Sequence, residues 1–272
     1  MNLHAKRGFI FLLAVLFLFA CPCSPVAGEE EITEEVILDE EMPDETPSGA
    51  SEAEEPSAPT ARDAFIDDII AAGREVYDKA DGKYKRAHYK NDIYVCKNFT
   101  VYVFRQARAK YRMAEFPGTE LRIPNNLPAK QCRPYNYGYC WEEIPASKGN
   151  PFEIAAQFLY DTKLSKEENY TLAAEFMKQT KKGDYFQMTG DYSGGKGAHS
   201  AIFISDYDPA TNTVRSMDSN RAGKRINGLR YGKVFFDTEM TIDEWIAFFC
   251  YKKCGATLYR IRDDIIRAED AH

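Results

Sequence analysis

The spacing of apolar residues changes partway along this chain, from a helical period to an alternating one, and that order limits the fold more than any other feature. Between Ala61 and about Lys79, residues Ala64, Phe65, Ile69, Ile70, Ala72 and Val76 share one helical face, and Asp81-Gly82 ends the run. A Tyr-rich connection with Tyr84, Tyr89 and Tyr94 leads to a second helix. There Cys96, Phe99, Val103, Phe104 and Ala107 line one face, Asp92 is placed to cap the N-terminus, and the helix is predicted to reach about Met113. Pro151 to Thr162 also predicts a helix, with Ile154, Ala155, Phe158 and Leu159 inward. The capping box Ser165-Lys-Glu-Glu168 opens another, to about Lys181.

After Gly183 the period becomes two. Strands are predicted at 183–188, 199–205 and 213–217, the last two joined by a turn at Asp208 to Asn212. Further strands are expected at 234–236 and 257–261, around a helix opened by the capping box Thr241-Ile-Asp-Glu244. Helices first and an antiparallel sheet afterwards define an α+β domain without internal repeats.

The N-terminus has a different character. Lys6 and Arg7 precede the apolar run Phe9 to Ala20, the pattern of an export signal too short to span a bilayer comfortably. Leu18-Phe19-Ala20-Cys21 is similar to a bacterial lipobox, in which Cys21 carries lipid and attaches the protein to a membrane; Val26-Ala27-Gly28 is the competing cleavage site. Both endings place the body outside the cytoplasm, periplasmic or at the cell surface. Residues 29–60 are predicted to be a disordered acidic tether, with too little apolar surface to offset chain entropy. Thirteen of the 42 acids lie in residues 29–55, which hold no Lys or Arg. The remaining 29 acids face 33 Lys and Arg once Lys6 and Arg7 are set aside, so the body is mildly basic. That suits an anionic polymer such as a cell wall, whereas nucleic acid calls for a basic stripe that the sequence lacks.

Five cysteines belong to the body. Cys132 and Cys140 bracket a short aromatic loop, and Cys250 and Cys254 lie close at a predicted helix end. Both pairs are candidates for disulfides in an exported protein, which leaves Cys96 over. The spacings C-x7-C and C-x3-C fit a zinc site poorly.

A thiol at a helix N-terminus feels the positive end of the dipole, which favours the thiolate. A nucleophilic thiol also needs an imidazole and a polar group to orient that imidazole. Within the body only His88 and His199 are available. His88 lies in a Lys- and Tyr-rich connection, whereas His199 opens a strand whose hairpin partner ends at Asp218-Ser219-Asn220. A turn near residue 210 brings 218 or 220 level with 199.

These pieces in this order resemble the NlpC-type cell-wall peptidases and the related CHAP amidases. The matching segments are Tyr94-Val-Cys96-Lys-Asn-Phe-Thr-Val-Tyr-Val103, Gly183-Asp-Tyr-Phe186, His199-Ser-Ala-Ile-Phe-Ile204 and Asp218-Ser-Asn220. The resemblance implies a papain-like fold over about 61–262, with Cys96 as nucleophile, His199 as base and Asp218 as orienting residue, Asn220 being the alternative. It further implies a Tyr helping the oxyanion, for which Tyr84 has the right offset, and peptidoglycan stem peptides as substrate. No metal or organic cofactor is implied. The chain departs from the NlpC pattern Asp-Cys-Ser-Gly at the cysteine, and residues 119–180 are longer than the resemblance requires, an expected insertion beside the groove.

Other readings of the same residues are a transglutaminase-like transferase, a lipid-directed permuted enzyme using Cys250, and an inactive binding module. Gly190 to Gly197 nearly spells a phosphate loop, but Gly197 replaces the magnesium-binding hydroxyl and a strand follows where a helix is required. The sequons at Asn98 and Asn169 fall inside predicted helices.

Overall fold

A computed structural model describes residues 59–88, 92–126, 138–142, 144–189, 198–221, 223–250 and 254–269. The export signal, the lipobox Cys21, the acidic tether up to residue 58, Cys132 and the whole Gly190–Gly197 loop lie outside them. Among the described residues no helix is long and apolar enough to cross a membrane.

The chain begins with α1 (Ala61–Ala80), β1 (Lys85–Arg86), α2 (Cys96–Ala107) and β2 (Tyr111–Met113). It continues through β3 (Phe152–Leu159), α3 (Lys166–Met177), β4 (Tyr185–Met188), β5 (His199–Phe203), β6 (Thr213–Ser219), β7 (Lys224–Ile226) and β8 (Leu229–Gly232). It ends with β9 (Val234–Thr241), α4 (Ile242–Phe249), β10 (Gly255–Ile261) and β11 (Ile266–Ala268). Six strands form the main sheet in the order β3-β10-β4-β5-β6-β9, each pair antiparallel. Small sheets β1-β8-β7 and β11-β2 flank it. The α+β class expected from the sequence is therefore present.

Alternation along the strands divides the core in two. Tyr185, Ile202, Met217 and Tyr259 pack with Phe65, Ile69, Phe99 and Phe104 of α1 and α2. Phe186, Ala201, Phe203 and Leu258 pack on the other side with Phe176 of α3 and Trp245 and Phe249 of α4. Each buried aromatic side chain contributes about 2–3 kcal/mol by leaving water. Two glycines allow α1 to lie close to the sheet. A Cβ at Gly73 would stand 2.2 Å from Met217 Sδ, and one at Gly183 would stand 2.7 Å from Ile66 Cδ1. Gly183 also has φ +90°, which a side chain disfavours.

Three capping boxes hold the starts of α1, α3 and α4, through Thr60/Asp63, Ser165/Glu168 and Thr241/Glu244. The last two are those read from the sequence. Four local expectations are corrected. Residues 151–162 form no helix: 152–159 are the edge strand β3, in register with β10 from Gly255↔Leu159 to Ile261↔Phe152. The Asn150 side chain turns the chain into that strand by accepting the Phe152 N–H, and non-local pairing overrides the local periodicity. The second helix stops at Ala107, because 111–113 pair with β11 from the far end of the chain. The N-cap of that helix is Val95, not Asp92, whose carboxylate instead accepts the His88 N–H. The segment expected to be an insertion supplies β3 and α3, and so belongs to the main sheet and its cover.

The paired cysteines also differ from expectation. No disulfide joins Cys250 to Cys254: Cys250 caps α4 with its N–H on Ile246 O, while Cys254 is buried just ahead of β10. The bracket formed by Cys132 and Cys140 has only Cys140 among the described residues, buried beside Trp141. The hairpin β7-β8 was not anticipated, although Asn227-Gly228 is a strong turn signal and both residues take positive φ (49° and 77°).

Candidate active site

Cys96 is the first residue of α2 and 4% exposed. Val95, the N-cap of this helix, makes no side-chain capping hydrogen bond. The Cys96 sulfur takes hydrogen bonds from the backbone N–H of Lys97 and from that of Ser200 on β5, and it is hydrogen-bonded to the His199 ring. His199 is the first residue of β5 and shares the sheet face of Ala201 and Phe203, while α2 covers the opposite face. The three elements therefore meet at the end of the sheet, where the start of β5 and the end of β6 come up to the helix N-terminus.

The ring Nε2 of His199 stands 3.4 Å from Oδ1 of Asp218, whose side chain is fully buried. That separation is ion-pair range and long for a hydrogen bond, so the interaction is chiefly Coulombic. With Nε2 turned to Asp218, Nδ1 is left to face the thiol. The electrostatics follow from this arrangement. Burial alone pushes the Cys96 thiol up, but the imidazole and the two backbone N–H groups outweigh it, and the net shift is downward. Burial likewise pulls His199 down, but Asp218 and Cys96 outweigh it and raise the imidazole to about 10. Both shifts favour a thiolate paired with an imidazolium.

Of the two orienting candidates, the carboxylate holds the position. Asn220 takes φ +67°, donates its backbone N–H to Lys233 O, and has its side chain against Gly223 and Gly232. Tyr84 stands just ahead of β1, about one-third exposed, with its ring under Lys224 Nζ at 3.9 Å. It is not among the groups acting on Cys96 or His199. His88 is exposed. Cys250, the alternative nucleophile, has its thiol pushed up to about 11 by burial and stands at a helix C-terminus.

Sequence reasoning missed Arg221. Its Nε stands 3.6 Å from Asp218 Oδ2, so the carboxylate lies between imidazole and guanidinium. The guanidinium stacks over Phe235 at 4.6 Å and Trp245 at 5.9 Å, and donates to Met240 Sδ. A lone Arg after Asp-Ser-Asn carries no signal until β9 and α4 are brought beside it. Asp184 of the Gly-Asp segment is structural: Arg260 grips both its oxygens at 2.8 and 2.7 Å. Among the described residues, no group of three or more His, Cys, Asp or Glu is gathered to hold a metal.

The chain thus combines an α+β fold with a Cys-His-Asp constellation at the end of its sheet. Set against protein-family models, curated proteins and solved structures, it matches none of them.

Proposed function

We propose that this protein is an exported cysteine amidase or endopeptidase of papain-like fold, cleaving amide bonds in peptidoglycan stem peptides. The observation that carries the reading is the Cys96 thiol on His199, with His199 3.4 Å from Asp218, all at one helix N-terminus. The envelope location rests on the leader pattern of residues 6–28 and the mildly basic body.

In this reading the Cys96 thiolate attacks the carbonyl carbon of an amide, and the carbonyl π electrons move to oxygen. The Cys96 N–H at the start of α2 is the donor assigned to the developing oxyanion. His199, already protonated, gives its proton to the departing amine as the C–N bond breaks and the acyl-enzyme forms. The now neutral imidazole takes a proton from water, the hydroxide attacks the thioester, and the carboxylate leaves with Cys96 restored as thiolate. Asp218 keeps the ring oriented and stabilises the imidazolium throughout.

The test is incubation of purified protein with isolated peptidoglycan, followed by mass spectrometry of released fragments, beside Cys96→Ala. Fragments from the wild type alone are expected, and their masses name the bond. Equal release by both proteins removes Cys96 as nucleophile. Release by neither, together with a Cys96 unreactive toward iodoacetamide, replaces the hydrolase with a binding module.

A further inference from the structure

Between Asp218 and Asp237 the chain holds five Lys or Arg and no Asp or Glu. Most of that stretch is the hairpin β7-β8. Residues 223–230 are exposed, Tyr231 is half-buried and Gly232 is buried, so exposure rises from the base of β8 to the Asn227-Gly228 turn. Gly232 marks the base: a Cβ there would stand 2.2 Å from Tyr94 O, whereas one at Gly228 would meet nothing within 4 Å.

The register decides which side chains surround the tip. Ile226 stands opposite Leu229 in the last pair before the turn, and the two are 42% and 41% exposed. Residues directly opposite share a sheet face. Arg225 and Arg230 therefore lie together one pair behind the tip, on the other face from Ile226 and Leu229. Lys224 and Tyr231 lie one pair farther back, on the face of the apolar residues. β1 adds Arg86 beside Tyr231 and Lys85 beside Gly232. Among the described residues, none of Arg86, Lys224, Arg225 and Arg230 forms a salt bridge. Lys224 Nζ lies over the Tyr84 ring, and Arg225 donates only to the Gly228 carbonyl, at 3.5 Å. Asp81 acts on Lys83 and Lys85, at the base.

This arrangement works against the hairpin itself. Like charges directly opposite on neighbouring strands destabilise the pair, and Arg225 faces Arg230 with no carboxylate between them. The exposed apolar pair at the turn adds a surface that water disfavours. A partner that is anionic and also offers an apolar layer relieves both.

We propose that the β7-β8 hairpin docks this protein on an anionic lipid bilayer, tip first. Ile226 and Leu229 enter toward the acyl chains, and Lys224, Arg225 and Arg230 meet the lipid phosphates. The apolar pair decides between polyanions: a soluble anionic polymer engages the cations but leaves Ile226 and Leu229 in water, whereas a bilayer takes each group at its own depth. The long basic side chains on both faces reach back to the headgroups as the tip sinks. Tyr231, behind them, has the amphipathic ring that suits the interface. The proposal does not depend on the Cys96 hydrolase reading.

The experiment places Leu229→Trp in the full chain and adds vesicles with brominated acyl chains, made of phosphatidylglycerol and phosphatidylcholine in equal parts or of phosphatidylcholine alone. Both native tryptophans, Trp141 and Trp245, are 0% exposed, so quenching by bromine reports on the hairpin tip. This local readout is needed because the run Phe9 to Ala20 is itself apolar. The anionic vesicles should quench the added emission and the neutral ones should not. Adding Arg225→Gln and Arg230→Gln should raise the lipid concentration for half-quenching at least tenfold. Tm should stay at or above that of the wild type, because the opposed arginines are gone. Ile226→Trp serves should Leu229→Trp misfold. Absence of quenching on anionic vesicles, equal quenching on both kinds, or quenching that survives loss of both arginines overturns the proposal. Emission unmoved by vesicles but shifted by polyphosphate overturns it in favour of a soluble polyanion.

Discussion

Asp218 stands opposite Ala201 in the β5-β6 ladder, two residues along the strand from His199, and still brings Oδ1 to 3.4 Å from the His199 ring. The pairing continued by two residues would set Asn220 opposite His199, but the positive φ of Asn220 turns the chain away there. Asp218→Asn is therefore expected to lower kcat/KM on the order of 10²- to 10⁴-fold, while Asn220→Ala stays within about threefold. Both follow from steady-state kinetics on the fragment-releasing reaction. Comparable losses in the two variants would show that the amide orients the ring.

The thiolate–imidazolium pair exists between two titrations. Cys96 must lose its proton, which its lowered pKa permits below the ordinary 9.0, and His199 must keep its own, which it does up to about 10. Alkylation of Cys96 by iodoacetamide should rise on the acid side of 9.0 and plateau. Hydrolysis should fall as pH passes about 10. In Asp218→Asn the alkylation rise should move to higher pH, because the charge sustaining the imidazolium is gone. Cys250, pushed up to about 11, should label only in strong alkali, and Cys250→Ser should leave hydrolysis unchanged.

Linkage gives the same pair a signature in stability. The folded-state pKa of His199 is above its ordinary 6.5, so the folded protein binds the proton more tightly. That contribution is complete below about 6.5 and is lost as pH rises toward about 10. The Tm advantage of wild type over His199→Asn should shrink across that window in calorimetric scans. An advantage that grows with pH would mean that the buried imidazole is neutral.

Arg221 holds Asp218 from the side away from His199. Arg221→Met retains much of the stacking on Phe235 and Trp245 but removes the charge 3.6 Å from the carboxylate. The expected result is a loss of roughly tenfold in kcat with KM little changed, and an altered pH profile. A variant identical to wild type in pH profile would make Arg221 a packing residue alone. Arg221→Lys should rescue poorly, since a compact ammonium neither stacks nor spans as a guanidinium does.

Gly183 tests the structural half of the Gly-Asp segment. Gly183→Ala meets both φ +90° and Ile66 and should cost about 1–3 kcal/mol in denaturant unfolding. Activity per folded molecule should persist, because Asp184 is engaged with Arg260 and takes no part at Cys96.

Local patterns made much of this protein legible. The Thr241 and Ser165 capping boxes, the 199–217 hairpin and the apolar face that Cys96 shares with Phe99 and Val103 can all be read from neighbouring residues, since each depends on contacts only a few positions apart. Cys96, His199 and Asp218 were also readable as a set, because nucleophile, imidazole and carboxylate each stand at the end of an element. Other features depended on pairing across the whole chain. Residues 152–159 have a helix-like spacing and become a strand because β10 lies alongside them. Residues 111–113 leave the helix for β11. The tertiary structure also chose Asp218 over Asn220, through a single backbone turn. It set Arg221 beside the carboxylate and laid Lys85 and Arg86 of β1 alongside β8. Those outcomes depend on strand register, and a shift of one residue reverses which side chains share a face.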